Sequence, residues 1–307
     1  MPALRALISA TAYPATLLLA GLAIVWLLDA GVDAGLASLT VSAGSVVIAL
    51  ALDRWLPREP AWSRSHGDVG TDLAHAFISG GLVEASRLGL FAAMAVAASW
   101  LTERLGFGLW PNDWPLLAQL ALALVGMELF GYSFHRACHE LEVFWRLHAV
   151  HHSAPRLYVL NTFRLHPLDS VLSIALQLGP LVLLGANGRV MAMFLAVIFA
   201  HAMLQHSNAD LRLGPLNWFF AGPELHRWHH APTLAEQKTN YGTVLILWDV
   251  VFGTRHLPER RPPVDVGLGT MADYPSNYLG QLASPFLAKL WRRTPTMPHA
   301  TNAPSKE

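Results

Sequence analysis

Long apolar runs constrain this chain more than any other feature, because a stretch of roughly 20 mostly apolar residues is what a helix needs to cross a bilayer. About six such runs can be marked out: Ala12–Leu28, Leu36–Leu52, Ala74–Leu101, Trp114–Phe134, Leu168–Leu184 and Val190–Leu204. They explain why only 14% of the 307 residues are charged, against about 25% in an average soluble domain. No convincing small-residue cleavage site follows any run, so the first reads as a retained helix and not a signal peptide. The expected fold is all-α: an integral-membrane helical bundle of about 4–6 transmembrane helices with a cytoplasmic, histidine-rich helical cap. The expected division is a transmembrane region over residues 1–110, a catalytic region over 111–256 and an interfacial or disordered tail over 257–307.

The arginines orient the bundle. Arg5, Arg54, Arg58, Arg64, Arg136, Arg146, Arg156 and Arg164 fall on one set of flanks, with nearly all cations after Arg212; Arg104 and Arg189 fall on the other. Six spans with the amino terminus in the cytoplasm put the basic flanks on the cytoplasmic side of the inner membrane. The last two runs are short for a bilayer, and a hairpin dipping partway into one leaflet would return the chain to the same side. Glu84 and Arg87, inside the third run, share a helix face and either pair or mark a shorter, tilted segment. With 21 basic and 21 acidic residues the net charge is zero, and nothing suggests a nucleic-acid partner. A single cysteine, Cys138, excludes an intrachain disulfide framework.

Fifteen histidines are many for this length, and most of them cluster. His135 and His139 are four apart, a turn apart on one helix face. His148, His151 and His152 form an H-x-x-H-H pattern that His226, His229 and His230 repeat, and His206 stands between. Imidazole is a versatile ligand for zinc, copper, iron and nickel. One ion with about four to six coordination positions cannot use nine histidines; two ions can, with ligands assembled from several helices as in bundle-core metal centres. A single histidine is ordinarily a hydrogen-bonded residue, but three clusters at one membrane face are too many unpartnered polar groups to assign to packing, at about 1–3 kcal/mol each. Soluble di-iron sites use Glu-x-x-His pairs, which the clusters lack. A metalloprotease would need H-E-x-x-H, also absent. A metal transporter would place its ligands near the bilayer midplane, whereas these lie at helix ends.

These residues resemble the fatty acid hydroxylase/sterol desaturase superfamily, with its order H-x3-H, H-x2-H-H and a later H-x2-H-H. The similarity runs from about Glu128 to Thr254 and includes Phe163-Arg164-Leu165-His166-Pro167, Asn240-Tyr241-Gly242 and Trp248-Asp249 with Phe252-Gly253-Thr254. The resemblance implies two irons, a site that also accepts zinc in purified samples, dioxygen as oxidant, and an external electron donor such as a reductase or ferredoxin. It implies His135, His139, His148, His151, His152, His206, His226, His229 and His230 as ligands. His201 fits the place of a further family histidine less securely, and His166 is expected to be structural or to support a ligand. Glu128, seven before His135, either orients a ligand imidazole or is a buried acid paired elsewhere. Glu140 is placed to pair with Arg136, and Cys138 reads as a small buried side chain.

The membrane location selects the substrate class: an acyl chain, sterol or carotenoid entering from the bilayer. Hydrogen removal from a C–H bond begins both hydroxylation and desaturation, so the sequence does not separate them. The alternatives are a pterin-dependent ether-lipid monooxygenase of the same superfamily and a non-catalytic membrane metal transporter or sensor. An apolar stretch near Leu279–Leu290 is expected to lie on the membrane face, and residues after Thr294 to be disordered.

Overall fold

The computed structural model describes residues 2–259, 261–262, 264–269, 271 and 273–291; the tail after Thr294, expected to be disordered, lies outside the described residues. Two long helices open the chain, α1 (Pro2–Asp29) and α2 (Ala34–Trp55). The turn between them uses Gly31 at φ +79°, and the Asp33 carboxylate caps α2 by accepting from the amides of Gly35 and Leu36. The short α3 (Val69–Ala74) passes through one π-helical turn, His75–Ser79, into α4 (Gly80–Leu105). Next come α5 (Leu116–Glu140) and, after the single residue Leu141, α6 (Glu142–His152). The hairpin α7 (Pro167–Leu183) and α8 (Gly188–Gln205) follows. Five short α-helices follow among the described residues: α9 (Pro223–His229), α10 (Leu234–Gln237), α11 (Leu247–Phe252), α12 (Tyr278–Ala283) and α13 (Ala288–Trp291). No strand occurs among the described residues, only two isolated bridges.

Among the described residues, five helical segments are long and apolar enough to cross a membrane: Pro2–Asp29, Ala34–Trp55, Val69–Leu105, Leu116–Glu140 and Gly188–Gln205. The fifth expected run, Leu168–Leu184, is the shorter helix Pro167–Leu183. The fourth outruns its expected end at Phe134 and carries the first histidine pair in its last two turns. The protein is an integral-membrane helical bundle. At one end the carbonyl of Ser9 accepts from the Arg212 amide at 2.9 Å and that of Leu56 from the Asp210 amide at 2.8 Å. At the other, Asp29 pairs with Arg189, and Asn112 bonds Asn187 at 2.8 Å and the Gly185 carbonyl at 2.9 Å. The helix ends bearing the histidines all gather at the first end, with the start of α1 and the end of α2.

Within the bundle, α1, α2 and α8 meet through small side chains: Ala20, Ala37, Ala192, Ala196 and Ala200 are all buried beside Ile24, Val41 and Met193. Small residues let membrane helices approach closely, since lipid offers no hydrophobic drive for association. Outward-facing residues such as Leu18, Leu22, Trp26, Leu39 and Val96 remain exposed, as a lipid-facing surface requires. Glu84 and Arg87 do pair, on the outer side of α4. The C-terminal segment packs inward through Trp291 and Met271 against Trp145 of α6 and through the buried Gln281 and Ser284, while Leu279 and Phe286 stay exposed. Replacing Ala196, 1% exposed, by leucine is expected to overpack this junction by about 1–3 kcal/mol. A melt in detergent should show Ala196→Leu with a lowered Tm and Ala92→Leu, on the exposed face of α4, unchanged.

Candidate metal centre

The three histidine boxes close on one another at the shared end of the bundle and sort into two buried clusters. His135, His139, His148, His152 and His229 bring their ligand nitrogens within 4.8 Å of one another, as do His151, His206, His226 and His230. The geometry of a helix explains the sorting. Residues four apart share a face, whereas adjacent residues are turned by about 100°. The pairs His135/His139 and His148/His152 therefore enter the first cluster, and His226/His230 enters the second. The leftover histidine of each H-x-x-H-H, His151 or His229, crosses to the other cluster. The spacing suggested one convergent face per box; the structure shows each doublet dividing between neighbours, with the His152 and His230 rings stacked 4.3 Å apart where the clusters touch.

In the five-histidine cluster three of the rings are tied down at the outer nitrogen. Nδ1 of His135 donates to the Tyr241 carbonyl at 2.8 Å, that of His148 to Asp169 Oδ2 at 2.8 Å, and that of His229 to the Thr239 carbonyl at 2.7 Å. A carbonyl only accepts, so the proton of a neutral ring sits on Nδ1 and Nε2 presents its lone pair inward. The Nε2 atoms of all five rings are buried without a hydrogen-bond partner. In the four-histidine cluster His151 Nδ1 donates to the Arg164 carbonyl at 3.3 Å and His206 Nδ1 to the Ala202 carbonyl at 3.1 Å. Their Nε2 atoms, both lone pairs, then face each other at 3.1 Å. His226 Nε2 lies 2.9 Å from that of His206 and 3.0 Å from that of His230. Neutral rings cannot satisfy these contacts together, and protonation is opposed: burial first, then the neighbouring histidines, push His151, His226 and His230 well below the ordinary histidine range. A cation among the four resolves the conflict, since two nitrogens about 2.0–2.1 Å from one ion stand roughly 3 Å apart. The donor set fits a metal in each cluster.

A second layer holds the rings. The segment around Asn240, which adopts φ +54°, supplies the carbonyls of Thr239 and Tyr241 to two ligands of the first cluster. Two carboxylates clamp it. Asp249 accepts from the amides of Tyr241 and Gly242 at 2.8 and 2.7 Å. Glu128 accepts from the Thr243 amide, from the Thr243 hydroxyl at 3.0 Å and from the Val244 amide at 3.0 Å. Of the two readings of Glu128, the acid paired elsewhere is the observed one; it reaches His135 only through this loop. Gly242 is needed there, because a Cβ would run into the Leu245 carbonyl and lie 3.0 Å from Asp249 Oδ2.

The remaining residues fall into place around this layer. His201 joins neither cluster and hydrogen-bonds the Tyr13 hydroxyl through Nδ1 at 2.6 Å. His166 caps α7 through the Leu168 amide. Glu140 pairs with Arg136 at 2.8 Å, and Cys138 is buried with its sulfur 3.8 Å from Asp169. Sequence reasoning missed Asp169, which orients His148. An acid in the first turn of a helix looks like ordinary dipole complementation, and nothing in its spacing connects it to a box 21 residues earlier.

An all-helical membrane bundle closing two adjacent, all-nitrogen, buried ligand clusters defines a membrane metalloprotein of the histidine-box class. The family model for fatty acid hydroxylase matches residues 120–254, which contain every histidine of both clusters. The ornithine lipid hydroxylase OlsE of Rhizobium tropici is 41% identical over 250 residues, covering 80% of this chain and 74% of that protein. Alkylglycerol monooxygenases of Danio rerio and Homo sapiens are 34% and 30% identical, over 43% and 50% of this chain and 29% and 34% of their own lengths. No solved structure matches. The chain belongs to the fatty acid hydroxylase family and is an oxygen-dependent oxidoreductase acting on lipid.

Two outcomes are expected. Asp169→Asn should weaken metal binding about 10–100-fold, the usual effect of losing such a ligand-orienting partner; competition against a chelator measures it. The second concerns pH. His151, His152, His226, His229 and His230 are held well below 6.5 by burial first and then by one another, so below about 6.5 the unfolded chain takes up protons the folded chain refuses. Metal-free protein should therefore lose Tm steadily between about pH 7 and about pH 5, and a flat profile would contradict the buried, neutral state of these rings.

Proposed function

We propose that the nine histidines hold two iron ions, one in each cluster, and that the protein uses dioxygen to hydroxylate a membrane lipid. The division of nine buried imidazoles into two adjacent, inward-facing sets is the observation that carries this reading. Iron bound by nitrogen ligands supplies dioxygen reduction and the oxidising power to remove hydrogen from an unactivated C–H bond. The chain's own residues do the rest. Asp169, Thr239, Tyr241, Arg164 and Ala202 hold the protons of His148, His229, His135, His151 and His206 on Nδ1 and aim those rings inward. Trp145, its ring centre 5.2 Å from His139 and 5.5 Å from His152, covers the first cluster against water. His135 is the one half-buried ligand, and its flank is the proposed approach for substrate.

The relative at 41% identity is an ornithine lipid hydroxylase, which makes an ornithine-containing lipid the first substrate to test. Hydroxylation is preferred over desaturation on the same ground. Residues 111–256 form the proposed catalytic region, residues 1–110 a membrane region and 257–307 the tail. The clustered ends and the amino terminus are placed on the cytoplasmic side of the inner membrane, where Arg54, Arg58, Arg64, Arg136, Arg146, Arg156 and Arg164 accompany them. A separate reductase or ferredoxin would then reach the site from the cytoplasm. The pterin-dependent reading is second, because the alkylglycerol monooxygenases match at most half of this chain and about a third of their own length.

Lipid extracts from cells expressing the chain should contain one lipid heavier by a single oxygen, absent with His229→Ala. A new lipid lighter by two hydrogens would instead establish desaturation. Activity restored in membranes by reduced pterin, and not by a reductase, would establish the second reading.

A further inference from the structure

The two clusters lean on different parts of the chain. The first is oriented by Asp169 and by the 239–244 segment, all within the family match. The second meets the N-terminal region. Asp53 of α2 accepts from the Val159 amide at 3.0 Å, and Glu59 and Asn208 exchange two hydrogen bonds, at 3.0 and 2.9 Å. The firmest link is Asp72 of α3. Its carboxylate, fully buried, receives Arg164 Nε at 2.5 Å and the Tyr158 hydroxyl at 2.5 Å. Arg164, itself 2% exposed, is the residue whose carbonyl receives the Nδ1 proton of His151. One residue on, the Leu165 carbonyl accepts from His75 at 3.0 Å, in the π-helical turn that follows α3. Side chain and carbonyl of this short segment are thus held from the same N-terminal helix.

We propose that Asp72 is a positioning residue for the four-histidine cluster: through Arg164 it fixes the carbonyl that keeps the His151 proton on Nδ1 and its Nε2 lone pair on the metal. The N-terminal region then serves one of the two metals specifically, as well as anchoring the protein in the bilayer. This inference rests on the two-metal reading above. An equally placed control exists. Asp68, four residues earlier, makes a buried bidentate pair with Arg156 at 2.7 and 3.0 Å, and no ligand imidazole bonds the carbonyl of Arg156. A merely structural role would make the two aspartates equivalent.

The test is anaerobic titration of full-length, detergent-solubilised, metal-free protein with ferrous iron, counting bound metal alongside the Tm. Wild type binding fewer than two irons would defeat the two-metal reading itself. With two in wild type, Asp72→Asn is expected to retain one and to bind the other about 10–100-fold more weakly, Asp68→Asn to bind both normally, and Asp72→Glu to recover the second site in part. Should Asp72→Asn fail to fold, Tyr158→Phe, which deletes only a hydroxyl from the same carboxylate, is expected to weaken the second iron alone. Two irons bound normally by Asp72→Asn, or normally by Tyr158→Phe where it replaces that variant, overturn the proposal. So does an equal loss in Asp68→Asn.

Discussion

Lone pairs turned toward a dry centre are the constraint on which this structure depends. An imidazole that gives its Nδ1 proton to a carbonyl or carboxylate has only an acceptor left at Nε2, and in these clusters that acceptor is buried. Nine imidazoles, five of them held in this way, are packed together, and protonation cannot relieve the facing lone pairs because desolvation opposes a charged ring. The arrangement is sound only around positive charge, which makes it a metal site by electrostatics before any comparison with relatives. The bonds to Tyr241, Thr239, Asp169, Arg164 and Ala202 follow as the means by which the protons are kept on the outer side.

The membrane helices supply rigidity for this arrangement. α5 and α8 rise from the bilayer and end in ligands, so His135, His139 and His206 are positioned by helices packed into the bundle, α8 through small residues against α1 and α2 and α5 through Ala123 and Met127 against α7 and α8. α6 and α9 sit at the mouth of the bundle and carry the two H-x-x-H-H boxes across its end. Backbone that is not helical here, such as 239–246, packs against α5, where carboxylates from Glu128 and Asp249 satisfy its amides. Irregular backbone is tolerated beside a membrane only when its polar groups are answered in this way.

Much of this was legible in the sequence, because it is carried by periodicity. Apolar runs give spans, and histidines four apart give ligand pairs, so the helices and all nine clustered histidines could be named from spacing together with a family resemblance. What was hidden depends on contacts between distant segments. Asp169 lies 21 residues from His148 and reads as a helix-start acid. Asp72 reads as a charge between spans until the fold brings Arg164 onto it. Glu128 shares a stripe with His135, yet its oxygens go to a loop 115 residues onward, because unpaired amides of that loop compete for them at short range. His201 looked like a spare ligand and is taken by Tyr13. Spacing within one helix is a reliable guide to which side chains share a face, and says nothing about which of them the neighbouring segments will claim.

The placement of acid around the centre has a consequence of its own. No carboxylate belongs to either all-histidine cluster, but Asp169 stands one imidazole away, Asp249 and Glu128 stand one loop away, and Asp72 stands one arginine away. A carboxylate bound directly would cancel part of the metal charge. Set one bond further out, it raises the basicity of the imidazole it touches and fixes the ring, while leaving the centre more positive. A metal held there would keep its positive charge in a buried site beside Trp145 and the stacked His152 and His230 rings, where electrostatic interactions are strongest. Histidine-only ligation with carboxylates held at a distance therefore suits a site that must stay dry, stay charged and face an apolar substrate. A soluble di-iron site with carboxylate ligands gives up some of that charge.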